Sequence, residues 1–316
     1  MIGAGVSEHA HHFGRRVFAL FAEMTRSASC LSGELRFVVG VRHGSLSLHR
    51  PHRLLFLVYR SIVQCQRGAR LFETLLTIRR MEWTDAAELI DGDLEGRVVF
   101  TCEHASAALP EPWTWPQEDR WLVDTHWAID IGAADFTRRV AALMKAPAVL
   151  SCFSRLLIDP NRPLDSDTLF RENADGRTVH LNEALLDAER IRRIEHLYEP
   201  YHAAVSSIIE RSACDTVFSI HTFTDDYEGE KRHLEIGVLF DEDEEPAYRL
   251  VRHLAEAGFR VAPNEPWSGK IGLAYSPVRH ALEFGRCALE IEARQDLIVD
   301  DTFAGRLAEA LASFFS

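Results

Sequence analysis

No Cys-x-x-Cys pair occurs in this sequence. Its six cysteines (Cys30, Cys65, Cys102, Cys152, Cys214, Cys287) are scattered through 316 residues. That excludes a disulfide-stapled scaffold and a cysteine-type zinc ribbon, and it sets a reducing, cytoplasmic compartment as the expectation. Long apolar runs are missing too. Leu54 to Val63 is interrupted by Arg60 and falls far short of a membrane span. Positive charge is scarce: 35 basic residues face 48 acidic ones, a net charge of −13. An acidic protein lacks the basic footprint that nucleic-acid binding requires, so neither nucleic acid nor membrane is an expected partner. No His-Glu-x-x-His motif is present. One His-x-x-Glu, His196 with Glu199, lies inside a helical stretch and reads as a solvated face. What remains is ordinary globular composition, 47% hydrophobic and 26% charged, enough for a sizeable core.

Charge divides the chain near residue 80. Residues 1–80 hold 12 arginines, no lysine and four acidic residues. Their hydrophobic patterning is weak, and His and Arg clusters punctuate them. An Arg-rich, acid-poor segment fits an organelle transit peptide. The reading adopted is plainer: residues 1–80 are an extension from an over-extended gene start, and a domain of different character opens at Met81. No function is assigned to the extension.

From residue 96 the pattern sharpens. Short apolar runs predict buried strands at Val98–Cys102, Ala148–Cys152, Leu156–Ile158, Val217–Ile220, Leu234–Phe240 and Ala288–Ala293. Helical spacing predicts helices over Asp130–Lys145, Asp187–Ser212, Pro246–Ala257 and Thr302–Phe315, the second bent or split near Pro200. Pro160–Gly176 and Pro263–Gly272 read as loops, the latter extended to His280 as a candidate specificity loop. Strands alternating with helices specify an α/β fold whose sheet is covered on both faces.

In such sheets ligands bind at the carboxyl ends of strands. Val98–Cys102 ends in Glu103 and His104, and Val217–Ile220 ends in His221. A catalytic zinc takes three N or O ligands and keeps one position for water. Two histidines and a carboxylate suffice. The third ligand is left open between Asp130 and Glu103, with His126 nearby. Arg155, Asn161 and Arg162 flank Asp159 and can grip a carboxylate through the guanidinium fork. Glu290, Glu292 and Arg294 share one face of the last strand by the period-two rule. Glu292 can serve as general base or acid. Cys102 lies within a buried run and reads as core.

Taken in order, these residues resemble a known family. Cys102-Glu103-His104-Ala105-Ser106 comes first, then Asp124-Thr125-His126 with Asp130-Ile131-Gly132-Ala133. Ser154-Arg155-Leu156 with Asp159-Pro160-Asn161-Arg162 is next, then Ser219-Ile220-His221 and Glu292-Ala293-Arg294-Gln295-Asp296-Leu297. The set is similar to the N-formylglutamate amidohydrolase family from about residue 96 onward. The resemblance implies a fold like zinc-dependent exopeptidases and aspartoacylase, with a mixed, mostly parallel sheet between helices. It implies a hydrolase of the amide in an N-acyl amino acid, using Zn2+ or another divalent metal. His104 and His221 would be ligands, with Asp130 preferred as the third and His126 its rival. Glu292 would be the catalytic carboxylate, ahead of Glu290. Arg155 would polarise the scissile carbonyl, and Asn161, Arg162 and Arg294 would bind substrate. The competing readings are a non-catalytic binder of small carboxylates and a hydrolase of another amide, such as a peptidoglycan-type amide.

Overall fold

The computed structural model describes residues 86–227 and 229–316. The predicted N-terminal extension, residues 1–80, lies outside the described residues.

The elements run in order as β1 (Ala87–Ile90), β2 (Val98–Cys102), α1 (Ala133–Met144), β3 (Ala148–Ser151), and the small pair β4 (Asn173–Ala174) and β5 (Arg177–Thr178). Then come α2 (Asp187–Arg193), α3 (Glu199–Arg211), β6 (Thr216–Phe223), and the hairpin β7 (Asp226–Tyr227) and β8 (Glu230–Lys231). The chain closes with β9 (Ile236–Leu239), α4 (Glu244–Glu256), β10 (Val261–Pro263), α5 (Tyr275–Phe284), β11 (Cys287–Arg294), α6 (Gln295–Ile298) and α7 (Asp301–Phe315). The main sheet has seven strands in the order β1-β3-β2-β6-β11-β9-β10. β3, β2, β6 and β11 run parallel, while β1 pairs antiparallel to β3 and β9 antiparallel to β11. The α/β architecture, a mostly parallel mixed sheet between helices, is therefore as expected.

Alternation along the strands divides the core in two. Val98, Phe100 and Cys102 face one side with Phe218, Ile220, Leu289 and Ile291, and α1, α4 and α7 cover them. Phe100 and Phe218 meet edge to face at 5.8 Å, and Phe315 of α7 packs on Phe218 at 5.3 Å. Val99, Val217 and Ala288 face the other side, under Tyr201, Val205 and Ile208 of α3.

Several boundaries differ from the sequence expectation. Leu156–Ile158 is buried but forms a turn, with Leu157 N–H donating to the Ser154 carbonyl. A short apolar run cannot report whether it pairs or merely fills a core, and this one fills the core beneath α3. The helix expected from Asp130 begins at Ala133, because Gly132 adopts φ 85°. The long helical stretch does split, but over Ile194–Tyr198, where the turn widens to a π-helix just before Pro200. The segment expected as loop through His280 contains α5 from Tyr275. Its Pro277 lies in the first turn, where the missing N–H costs nothing.

Candidate active site

The second face of the sheet changes character along its length. The strand registers set Val99 beside Val217 and Val217 beside Ala288, an apolar row. One step on, Thr101, Ser219 and Glu290 form a polar row. At the carboxyl end, His221 lies beside Glu292. Glu103 and His104 come directly after β2. Period-two alternation and parallel pairing thus collect the ionisable residues of three strands at one end of one face. His221 lies within β6, which continues to Phe223, and not after a strand end as the sequence suggested.

His104, Asp130 and His221 converge there, each almost wholly buried, with ligand atoms within 4.8 Å of one another. Asp130 Oδ2 stands 2.7 Å from His221 Nδ1 and 3.3 Å from His104 Nδ1. The other ring nitrogens have their own carboxylates. His104 Nε2 is 2.8 Å from Asp159 Oδ1, and His221 Nε2 is 3.2 Å from Glu103 Oε2. Asp130 is brought in by its backbone N–H, which donates to the His104 carbonyl. The left-handed turn at Gly132 then leads into α1.

His126 does not join this group. It stacks against Trp127 with centroids 4.8 Å apart, and its buried Nε2 has no hydrogen-bond partner. Burial lowers its pKa. Glu103 serves His221 from behind, also accepting from Tyr201 and Ser219. Burial raises the Glu103 carboxyl, but His221 and the Ser219 hydroxyl outweigh it and bring it to about 2. Burial works against charge on His221, yet Glu290, Asp130 and Glu103 hold its pKa well above the usual value. Asp130 and Asp159 are both held low against burial, His104 being the strongest opposing influence on each.

Glu290 and Glu292 differ. Glu290 is pushed up to about 7 by burial, and its Oε2 accepts from Asn161 Nδ2 at 3.4 Å. Glu292 is raised well above the carboxylate range by burial, then by Asp130 and Glu290. Its buried Oε2 has no hydrogen-bond partner.

The remaining candidates have structural partners. Arg155 forks across Asp130 Oδ1 at 3.3 Å and Asp159 Oδ2 at 3.0 Å. Asn161 is 2% exposed, and its carboxamide donates to the Leu273 carbonyl and accepts from Ser276 N–H. It ties the loop to the start of α5. Arg162 reaches Thr168 and the Asn161 carbonyl. Arg294 pairs with Asp296 and donates to the Arg232 carbonyl, clamping the base of the β7–β8 hairpin. Sequence reasoning missed Asp159 as the partner of His104, although it was visible beside Asn161. It also missed Arg171 and Arg232, which no spacing marks: Arg171 lies over Trp127 at 5.3 Å, and Arg232 over Trp267 at 4.9 Å.

The family model described as N-formylglutamate amidohydrolase matches residues 96–299. The chain belongs to this family. It is therefore a hydrolase acting on amide bonds. Comparison with curated proteins finds no match. Among solved structures, the gene product Atu2144 from Agrobacterium tumefaciens is similar at 30% identity, with a TM-score of 0.66 over 74% of this chain and 94% of that one. The N-formylglutamate amidohydrolase from Ralstonia eutropha JMP134 is similar in fold, at 21% identity and a TM-score of 0.53, over 73% of this chain and 96% of that one. The family match begins after β1, although β1 completes the edge of the sheet, and it ends before α7. Among the described residues, no helix is long and apolar enough to cross a membrane.

Proposed function

We propose that this chain is a metal-dependent amidohydrolase of N-acyl amino acids, N-formylglutamate being the candidate substrate, with residues 81–316 as its catalytic unit. One observation carries the reading. His104 and His221 turn Nδ1 toward Asp130, while each Nε2 is taken by a carboxylate. That is how metal-binding histidines are oriented: the outer carboxylate fixes the ring and raises its basicity. The donor set also fits a divalent cation by charge. Five buried carboxylates (Glu103, Asp130, Asp159, Glu290, Glu292) surround two histidines and one mostly buried arginine. Burial raises Glu290 and Glu292 toward their neutral forms, while Glu103, Asp130 and Asp159 are held ionised, and a bound cation would balance that charge away from water.

His104, Asp130 and His221 would hold zinc or a similar ion. When bound there, the ion supplies a Lewis acid that acidifies water and polarises a carbonyl oxygen. The protein does the rest. Glu292, raised by burial above the usual carboxylate range and without a hydrogen-bond partner at Oε2, would accept the proton of the attacking water and return it to the leaving nitrogen. Arg155 fixes Asp130 and Asp159 and keeps unused N–H groups for the oxygen on which charge develops. Arg162 is the candidate for the α-carboxylate, since among the described residues no carboxylate claims its fork. Asn161 acts through position, holding α5 and Glu290. Arg294 secures the hairpin that borders the site.

The test is metal content together with formate release from N-formylglutamate. About one zinc per chain, lost in His221→Ala together with activity, is the expected result. A chain that takes up no divalent ion and releases no formate would overturn the proposal.

A further inference from the structure

The helical turn between α2 and α3 is wider than an α-turn, and the residues at its two ends hold one short segment of the site. Ile194–Tyr198 is π-helical, the Glu199 N–H donating back to the Ile194 carbonyl. In an α-helix Arg193 and Tyr198, five residues apart, would stand about 140° apart around the axis. A turn closed five residues on shifts them toward one face. Both are buried. Arg193 Nη1 donates to the Leu157 carbonyl at 3.0 Å and to Asn182 Oδ1 at 2.7 Å. The Tyr198 hydroxyl donates to the Arg162 carbonyl at 2.8 Å. One helical stretch thus grips residues 157–162 at both ends.

That segment reaches the cluster at the carboxyl end of the sheet. Asp159 Oδ1 is 2.8 Å from His104 Nε2, and Asn161 Nδ2 is 3.4 Å from both His221 Nε2 and Glu290 Oε2. The segment is a tight turn: Asn161 N–H donates to Asp159 Oδ1, and Arg162 N–H to the Asp159 carbonyl. A shift of such a main chain moves the side chains it carries into the site. Asp159 has a second hold in Arg155, at 3.0 Å. The Arg162 end depends on Tyr198.

The direction of that hydrogen bond is fixed. A phenol carries one proton and a carbonyl none, so Tyr198 donates to Arg162 and accepts from the Tyr275 hydroxyl, 3.2 Å away at the start of α5. Burial, with Tyr275 adding to it, raises the Tyr198 phenol and keeps it a donor. Tyr201 follows three residues later on the same helix face. It donates instead to Glu103 Oε1 at 3.0 Å, and Glu103 meets His221. Two phenols of equal chemistry and depth thus serve different parts of the site.

We propose that Tyr198, placed by the π-turn, is a positioning residue: its hydroxyl holds the main chain of Arg162, and with it the Asp159–Arg162 turn, in the geometry that binds substrate. The inference rests on the hydrolase reading, with Arg162 on the substrate carboxylate.

Comparison of Tyr198→Phe with Tyr201→Phe in the full chain at saturating zinc tests it. Each removes one buried hydroxyl from the same helix, so a general loosening of α3 would affect both alike. Tyr198→Phe is expected to raise KM for N-formylglutamate about three- to tenfold, the range one hydrogen bond commands, with kcat and zinc affinity unchanged. Tyr201→Phe is expected to weaken zinc binding and leave KM unchanged. Hydrogen exchange reads the turn without turnover. The amides of Asn161 and Arg162 should exchange faster in Tyr198→Phe and not in Tyr201→Phe. An unchanged KM in Tyr198→Phe, an equal rise in both variants, or unaltered exchange in the turn would overturn the inference. Faster exchange there, in a chain that cleaves no N-formyl amino acid, would uphold the hold on the turn and sink the hydrolase reading.

Discussion

At the scale of the residue, the two acids of β11 show how environment separates side chains of the same type. Glu290 is hydrogen-bonded by Asn161, while the Glu292 Oε2 is bare. In the proposed mechanism the free oxygen belongs to the group that exchanges a proton. Glu292→Gln should therefore keep zinc and lose about a hundredfold or more in kcat. Metal content measured beside initial rates checks both halves, and retained turnover would move the role to Glu290. Asp159 acts at one remove, through His104. Asp159→Asn keeps the shape but removes the charge that fixes the ring, so zinc affinity should fall about 10- to 100-fold. Competition with a chelator measures this. An unchanged affinity would leave Asp159 as a partner of Arg155 alone.

Elements place these residues, and the α3–α5 contact on the same face of the sheet shows the cost of doing so. His202 of α3 and His280 of α5 are buried together, His202 Nδ1 lying 2.9 Å from His280 Nε2. Ser206 stands 3.2 Å from the other nitrogen of His280. Burial depresses both histidines, with Arg279 adding to it; His280 falls to about 3. In the unfolded chain each would titrate near 6.5. Between those values the unfolded state binds more protons. Folding stability is therefore full above about pH 6.5 and falls as pH drops toward 3, by at most about 1.4 kcal/mol per pH unit for each histidine. Denaturant unfolding at pH 7, 5 and 4 should show that loss, and His280→Gln should reduce its slope. An unchanged slope in the variant would assign the acid loss elsewhere. The same pairing explains why α5 was hard to see in the sequence. Its opening Ser276-Pro277 reads as a breaker, while the helix is held by contacts to α3 and to Asn161, remote in sequence.

For the whole molecule, the proposed metal would link its binding to the fold through the carboxyl end of the sheet. His104, Asp130 and His221 come from the end of β2, the approach to α1, and β6. An ion held by all three ties these segments together and exists only in the folded chain. Chelation should lower Tm by several degrees, and added zinc should restore it. Equal Tm with and without chelator would mean that the cluster is held by its own hydrogen bonds.

The family, the alternation of strands and helices, and the histidines His104 and His221 near strand ends were legible from local patterns. Strand runs announce themselves by apolar content, and the polar residues at their carboxyl ends, such as Glu103 and His104, stand out against them. Residues 154–162 were legible as chemistry but not as structure, because an apolar run such as Leu156–Ile158 fills a core equally well as strand or turn. The rest required tertiary contacts. Asp130 and His126 lie four residues apart and are rivals in sequence, and it is the hydrogen bond from the Asp130 N–H to the His104 carbonyl that brings one of them to the histidines. Asn161, Arg162 and Arg294 carry the right chemistry for a carboxylate, yet Asn161 and Arg294 are taken by backbone and acid partners. Arg171 and Arg232 carry no motif at all; the rings of Trp127 and Trp267 decide where they stand. Hydrophobic periodicity alone marked the central buried strands, the two-sided core and the polar residues near the strand ends, but not the edge strands β1 and β10. Which side chains remain unpaired, and so available to a ligand, was decided by the tertiary structure, because pairing depends on contacts between residues far apart in the chain.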